Sequence, residues 1–279
     1  VIDKGEVRYY LAENYQVSED GLQITVKLRD KMTWHDGEPI TADDLIFTFD
    51  IKNDPNTSSS GGTKVDGELV AYEKVDDLTV KFTLPTVYAA YLETLGGIKM
   101  MPKHIYEGET DMANSQLNQT QGVGSGPYMV KEWNKGESLT LVRYEDYYRG
   151  RPNLESVIFK IIPNESTQEI AFQNGELSMF PISSSEKLAK YSADGNLNVY
   201  SFPRGRVNYM GFNKNSENMK DIKARQAIAA AINLEELVLG AYGENIAEPA
   251  TNFFGPGVPY YDETVTNYEY NLEQARQLA

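Results

Sequence analysis

The sequence predicts an α/β protein with a large core and about two domains for its 279 residues. Three observations lead to that class. Leu22, Ile24, Val26 and Leu28 alternate with polar residues, which is the period of a half-buried strand. That strand runs through a turn directly into the start of a helix at 41–45. Period-two stretches at 78–84, 138–143 and 155–162 then share the chain with helical stretches at 166–174 and 221–242.

Each element has a local reason. Trp34-His35-Asp36-Gly37 is turn-forming, and Trp34 is expected to be core, pinning this turn onto the helix that follows. Thr41 with Asp44 three residues on has the form of a capping box with Asp in place of Glu. It precedes an apolar face of Leu45, Ile46 and Phe49. Residues 53–68, NDPNTSSSGGTKVDGE, have the composition of a flexible loop. Leu78, Val80, Phe82 and Leu84 form a strand bounded by Pro85. Met101-Pro102-Lys103-His104 reads as a helix start with Pro near its first position. Residues 107–126 are polar and Gly-rich, a connector. Gly124-Ser125-Gly126 makes a tight turn into a strand. The strands at 138–143 and 155–162 flank an aromatic turn of Tyr144, Tyr147 and Tyr148. The helix at 166–174 ends at Gly175, and strands are expected at 177–181, 197–202 and 206–213. Asp221 caps a helix running to 242, with Gly243 after its end. Asn271 with Gln274 marks a last helix start. No internal repeat or heptad run is present.

Composition excludes several function classes. The net charge is −15, from 26 Lys and Arg against 41 Asp and Glu. Such a chain repels nucleic acid phosphates and anionic lipid surfaces. With no cysteine there is no disulfide, thiolate nucleophile or cysteine metal site. No apolar run approaches the roughly 20 residues that cross a bilayer. His35 and His104 are the only histidines, and neither has a partner four residues on, so turn and surface roles are expected. Asp43-Asp44 and Asp76-Asp77 are adjacent pairs. Adjacent residues do not share a face on a helix or a strand, which disfavours paired-carboxylate catalysis. Gly124-Ser125-Gly126-Pro127-Tyr128 lacks the lysine of a phosphate loop.

The order of residues adds a resemblance. LRDKMTWHDGEPITADDLIFTFD at 28–50 closely resembles the signature of the extracytoplasmic solute-binding proteins of peptide-type ABC importers, the oligopeptide, dipeptide and nickel-binding family. LAENYQVSEDGLQITVKLRD at 11–30, the segment at 123–168, NYMGFNKN at 208–215 and the segment at 221–250 match in the same order. The resemblance covers essentially the whole chain. It implies a multi-lobed, periplasmic-binding-protein-like α/β fold with mixed sheets flanked by helices, present in part. Residues 1–123 would be a small accessory lobe, 124–213 part of the near ligand-binding lobe, and 214–279 the start of the far lobe. It places the turn at 124–126 at a lobe boundary, as a hinge element.

The resemblance further implies capture of a solute outside the membrane, hinge closure and delivery to ABC permease subunits. Oligopeptide or dipeptide is the leading solute. A nickel chelate, haem or saccharide on the same fold is the alternative. No reaction, cofactor or metal is implied, and the full-length protein would be a monomer. Its location would be periplasmic, or outside the membrane on a lipid carried by an N-terminal cysteine upstream of this sequence. The segments expected to line the ligand cleft carry Phe180, Ile182, Ser183, Arg206, Asn208 and Tyr209. A ring, a guanidinium and an amide beside backbone groups suit an extended peptide. Two rivals stand beside this reading. One is a carboxylate-dependent hydrolase, recognisable by a strongly raised carboxyl pKa in a closed pocket. The other is a sensory binding protein that signals without transport.

Overall fold

A computed structural model describes residues 2–3, 6–55, 57, 61–120, 122–202, 206–255 and 261–279. Residues 7–165 and 166–279 form two compact units. Two short strands, β1 (Ile2–Asp3) and β2 (Glu6–Val7), precede the first sheet. The predicted strand at 22–28 becomes β4 (Gln23–Leu28), which pairs antiparallel with β3 (Ala12–Val17). On its other edge it meets β8 (Thr79–Thr83), which in turn pairs with β7 (Ala71–Asp76), so the order is β3-β4-β8-β7. Ile24 lies opposite Phe82 and Val26 opposite Val80. This register puts the alternating apolar residues of both strands on one face.

Helix α1 (Ala42–Asn53) covers that face with Leu45 and Phe49. The Phe49 ring sits 4.9 Å from Phe82 and 5.1 Å from Tyr72. The substitution of Asp for Glu in the capping box has a use. Asp44 is buried; one carboxylate oxygen accepts from the Thr41 N–H at 2.9 Å and the other from the Lys103 N–H at 2.9 Å. One side chain thus starts α1 and anchors α3 (Lys103–Tyr106), a single turn whose cap is Pro102 itself. Asp43 pairs instead with Lys74 at 2.8 Å, and Lys74 reaches Asp77 at 2.9 Å. Neither carboxylate pair converges on a common point.

The loop expected at 53–68 contains a hairpin, β5 (Lys64–Val65) to β6 (Glu68–Leu69). Its two central residues, Asp66 and Gly67, both have positive φ, the requirement of the tight turn that fits strand twist. Asp-Gly was the available signal, hidden within a Ser- and Gly-rich run. Helices α2 (Tyr91–Gly97) and α4 (Leu117–Thr120) follow in unit 1.

The second sheet is a meander of β9 (Tyr128–Asn134), β10 (Ser138–Arg143) and β11 (Ser156–Lys160). The residues around Trp34 tie it to the first sheet. His35 donates its backbone N–H to the Gly124 carbonyl at 2.9 Å. Its ring Nδ1 accepts from the Gly124 N–H at 3.1 Å, and Nε2 lies 2.9 Å from the Gly126 carbonyl. Only the neutral tautomer with the proton on Nε2 satisfies both ring contacts. The Tyr144 hydroxyl donates to the Trp34 carbonyl at 3.0 Å. The turn at 124–126, expected as a hinge element, is therefore clamped inside unit 1.

Unit 2 is helical: α5 (Glu165–Gln173), whose first residue falls in unit 1, α6 (Ser185–Ser192), a 3₁₀ turn at Glu217–Met219, α7 (Ile222–Ala231), α8 (Leu234–Tyr242) and α9 (Leu272–Leu278). Asp221 caps α7 and Asn271 caps α9 as predicted, accepting from the Lys223 and Gln274 N–H groups at 2.9 Å each. The single helix expected over 221–242 is two. The first ends at Ala231 with Ile232 as its C-cap, and Asn233 caps the second, accepting from the Glu236 N–H at 3.3 Å. Helix α6 was not anticipated, although Ser184 caps it. The strands expected at 177–181, 197–202 and 206–213 are irregular among the described residues. Alternation selects a face, but a strand also needs a ladder partner, and among the described residues β9, β10 and β11 pair with one another alone. Residues 203–205, part of the approach to the last of these, lie outside the described residues.

Candidate ligand-binding face

The six predicted ligand residues all fall in unit 2, on its irregular segments. Phe180 is half-buried in an aromatic cluster with Phe172 at 4.8 Å and Tyr191 at 5.4 Å. That cluster rests on a charged network between α5 and α6. The Glu169 carboxylate accepts from Tyr191 Oη at 2.7 Å and Lys190 Nζ at 2.8 Å, with Lys187 Nζ at 3.2 Å. The hydrogen bonds from Lys190, Tyr191 and Lys187 hold the Glu169 carboxyl down at about 2. Ile182 is half-buried and Ser183 exposed, immediately before the α6 cap.

Arg206, Asn208 and Tyr209 are exposed. Arg206 has no acidic partner among the described residues, so its guanidinium faces water. Asn208 donates from Nδ2 to Tyr242 Oη at 2.5 Å, and the Tyr209 ring lies 5.4 Å from Phe253. Tyr242 and Phe253 thus join the predicted residues through contacts spanning 34 and 44 positions. No local pattern announces such contacts; exposure of an aromatic ring is visible only in the fold.

The surroundings are apolar and uncovered. Met179 is 82 % exposed, Tyr200 81 %, Tyr209 72 %, Phe202 70 % and Phe253 67 %. Isolated exposed apolar residues are ordinary; here several large ones are exposed in three segments of unit 2. An open cavity of ≈ 620 Å³ lies elsewhere, in unit 1 beside α1 and α2, and is lined by none of the six residues. It is open rather than enclosed.

Where carboxyl groups among the described residues are displaced from their ordinary range, the displacement is downward. Glu145 is held at about 2 by hydrogen bonds from Arg151 and Arg143. Asp36, against the upward push of partial burial, is lowered by its hydrogen bond with His104. A general acid needs the opposite displacement. Among the described residues no group of three His, Cys, Asp or Glu side chains is placed to hold a metal ion. No helix among them is long and apolar enough to cross a membrane.

The chain is thus a two-unit α/β protein with large aromatic side chains exposed on unit 2. The chain belongs to the bacterial extracellular solute-binding proteins of family 5, whose middle region matches residues 6–279. It is similar to the oligopeptide-binding protein AppA of Bacillus subtilis, 30 % identical over 99 % of this chain and 51 % of that protein. It is also similar to the dipeptide-binding protein of Escherichia coli, 27 % identical over 96 % of this chain and 53 % of that protein. Among solved structures, a putative peptide binding protein AppA from Clostridium difficile superposes with a TM-score of 0.92 at 39 % identity, covering 99 % of this chain and 58 % of that one. The chain therefore spans about half the length of the curated relatives it matches. The multi-lobed α/β fold expected from the sequence is the fold observed, present in part.

Proposed function

We propose that the protein of which this chain is a part captures oligopeptides or dipeptides outside the cytoplasmic membrane and delivers them to an ABC permease. The observation that carries this reading is the family match along 6–279 together with relatives named for oligopeptide and dipeptide binding. The exposed Arg206, without an acidic partner among the described residues, and the amide of Asn208 supply groups for a peptide's carboxylate and backbone. Phe180, Ile182, Ser183 and Tyr209 supply apolar and small polar surface beside them. In this reading residues 1–123 are an accessory lobe, 124–213 part of the near ligand-binding lobe and 214–279 the start of the far lobe. The solute stabilises the closed state because it touches two lobes at once.

Native mass spectrometry of the full-length protein tests the solute class. Adducts with peptide masses are the expected result; a haem, metal-chelate or sugar mass would replace the peptide reading. Calorimetric titration then tests the site. Arg206→Ala is expected to weaken binding of a co-purified peptide by about 1.5–3 kcal/mol, the range for a hydrogen bond to a charged group, with little change in melting temperature. Unaltered affinity with lost stability would move Arg206 to the scaffold.

A further inference from the structure

We propose that the His35 clamp is acid-sensitive: a proton taken up by the ring breaks its bond with Gly124 and loosens the turn at 124–126, while His104 keeps the facing turn in place. The clamp lies wholly in unit 1 and works the same whichever solute is carried. Both ring nitrogens of His35 are committed to backbone groups, and to opposite kinds. Nδ1 accepts from the Gly124 N–H at 3.1 Å, and Nε2 donates to the Gly126 carbonyl at 2.9 Å. The backbone sits close against the ring, since a β-carbon at Gly124 would stand 3.3 Å from the imidazole Cε1. A proton on Nδ1 turns the acceptor into a donor. Two N–H groups then face each other, and the Gly124 N–H loses its partner. Nε2 still donates, so Gly126 keeps its bond.

The groups around the ring do not offset the new charge. Among the described residues no carboxylate forms an ion pair with His35. The Tyr144 ring lies edge-on at 5.2 Å, with its hydroxyl donating to the Trp34 carbonyl. Glu38 is exposed, and on α3 Lys103 and Glu107 pair with each other at 3.6 Å. Asp36, the adjacent acid, is turned to His104, whose Nε2 lies 2.8 Å from its carboxylate. That second histidine responds in the opposite direction, because a proton converts its contact into an ion pair. Against the upward push of partial burial, the hydrogen bond from His104 holds the Asp36 carboxyl below its ordinary value, so it stays ionised as the histidines charge. Acid therefore ties the turn at 34–37 more firmly to α3 and releases 124–126 from it. The bond from the His35 N–H to the Gly124 carbonyl survives, as does that of Tyr144, so the two sheets loosen at one point rather than separate. The family is an extracellular one, where acidity is set by the surroundings.

Hydrogen-exchange mass spectrometry of the full-length protein tests this at about pH 8 and about pH 5, the limits between which histidine changes charge. Labelling times are scaled for intrinsic exchange. Protection of a peptide covering 122–128 is expected to fall roughly three- to tenfold in acid, the factor of one lost hydrogen bond, while β4 keeps its protection. His35→Gln supplies an amide acceptor and donor that do not titrate, and is expected to abolish the fall. His104→Gln is expected to leave it in place. Unchanged protection of 122–128 in the parent, a fall that persists in His35→Gln, or a fall shared equally by β4 overturns the proposal. A fall abolished by His104→Gln assigns the response to the Asp36 pair and overturns it equally. If His35→Gln does not fold, imidazole nitrogen NMR of the parent decides. Protonation of the His35 ring in step with the loss of protection supports the proposal, and protonation without that loss refutes it.

Discussion

Trp34 is 1 % exposed and shares a small core with Leu28, Met32 and Ile40. Its burial is what the strand–turn–helix pattern predicts, and it removes the ring from any role in stacking on a ligand. Trp34→Ala should destabilise unit 1 by roughly 3–5 kcal/mol, the cost of deleting a large buried aromatic. A denaturant melt showing less than about 1 kcal/mol would mean the site refills itself. Glu169 offers a pH-dependent counterpart in unit 2. Its folded carboxyl is lowered to about 2 by Lys190, Tyr191 and Lys187, so its contribution is complete above the ordinary carboxylate range. That contribution is lost as pH falls from there through about 2. Glu169→Gln should therefore destabilise at pH 7, and the gap to the parent should close as both are melted at progressively lower pH. A gap that stays constant down to pH 2 would show that the network acts through packing alone.

At the level of elements, the region from 22 to 50 was legible because each signal is local. Alternation, a turn and a cap follow one another within a few residues, and the register of β4 against β8 then follows from which faces must be buried. Asp44 was readable as a cap but not as a bridge, because its second partner, the Lys103 N–H, is 59 positions away. Asp44→Ala leaves two backbone N–H groups without an acceptor and should cost about 2–4 kcal/mol; Asp44→Asn, which keeps an acceptor, should cost less. Chemical melts of the pair decide this, and equal losses would deny the bridge. The strands expected at 177–181, 197–202 and 206–213 failed for the converse reason: their alternation is real, but ladder partners are a property of the whole sheet. The break at Asn233 was readable in hindsight, since Asn233 followed by Glu236 repeats the capping pattern used at Asn271. The candidate site was named by resemblance rather than by chemistry. Phe253 and Tyr242 escaped because their partners lie far along the chain.

Across the whole molecule, burial is unevenly shared. The large, fully buried side chains, Trp34, Tyr91, Phe49, Phe82, Leu28, Val70 and Val80, all lie in unit 1. Among the described residues of unit 2, the buried apolar ones are Tyr191 and four alanines, Ala171, Ala227, Ala230 and Ala275. Alanines let α7 and α9 approach closely, and the Asn271 N–H reaches the Ala230 carbonyl at 2.8 Å, but little apolar area leaves water there. Residues 166–279 taken as this chain alone should exchange amide hydrogen faster than 7–165 and unfold first in denaturant. Hydrogen exchange that is uniformly slow across both units would contradict this. The clamp at His35 carries a different consequence, for folding kinetics. Its ring bonds close a span of 89–91 positions, whereas the β3–β4 and β9–β10 hairpins close at Val17 with Ile24 and at Asn134 with Ser138. Long closures come after local ones, so the clamp belongs to the late, downhill side of the folding barrier. His35→Ala, which removes about 1–2 kcal/mol, should leave the refolding rate nearly untouched and speed unfolding roughly five- to thirtyfold. A chevron in which the refolding limb falls instead would place the joining of the two sheets before the barrier, and make this imidazole part of the nucleus rather than the latch.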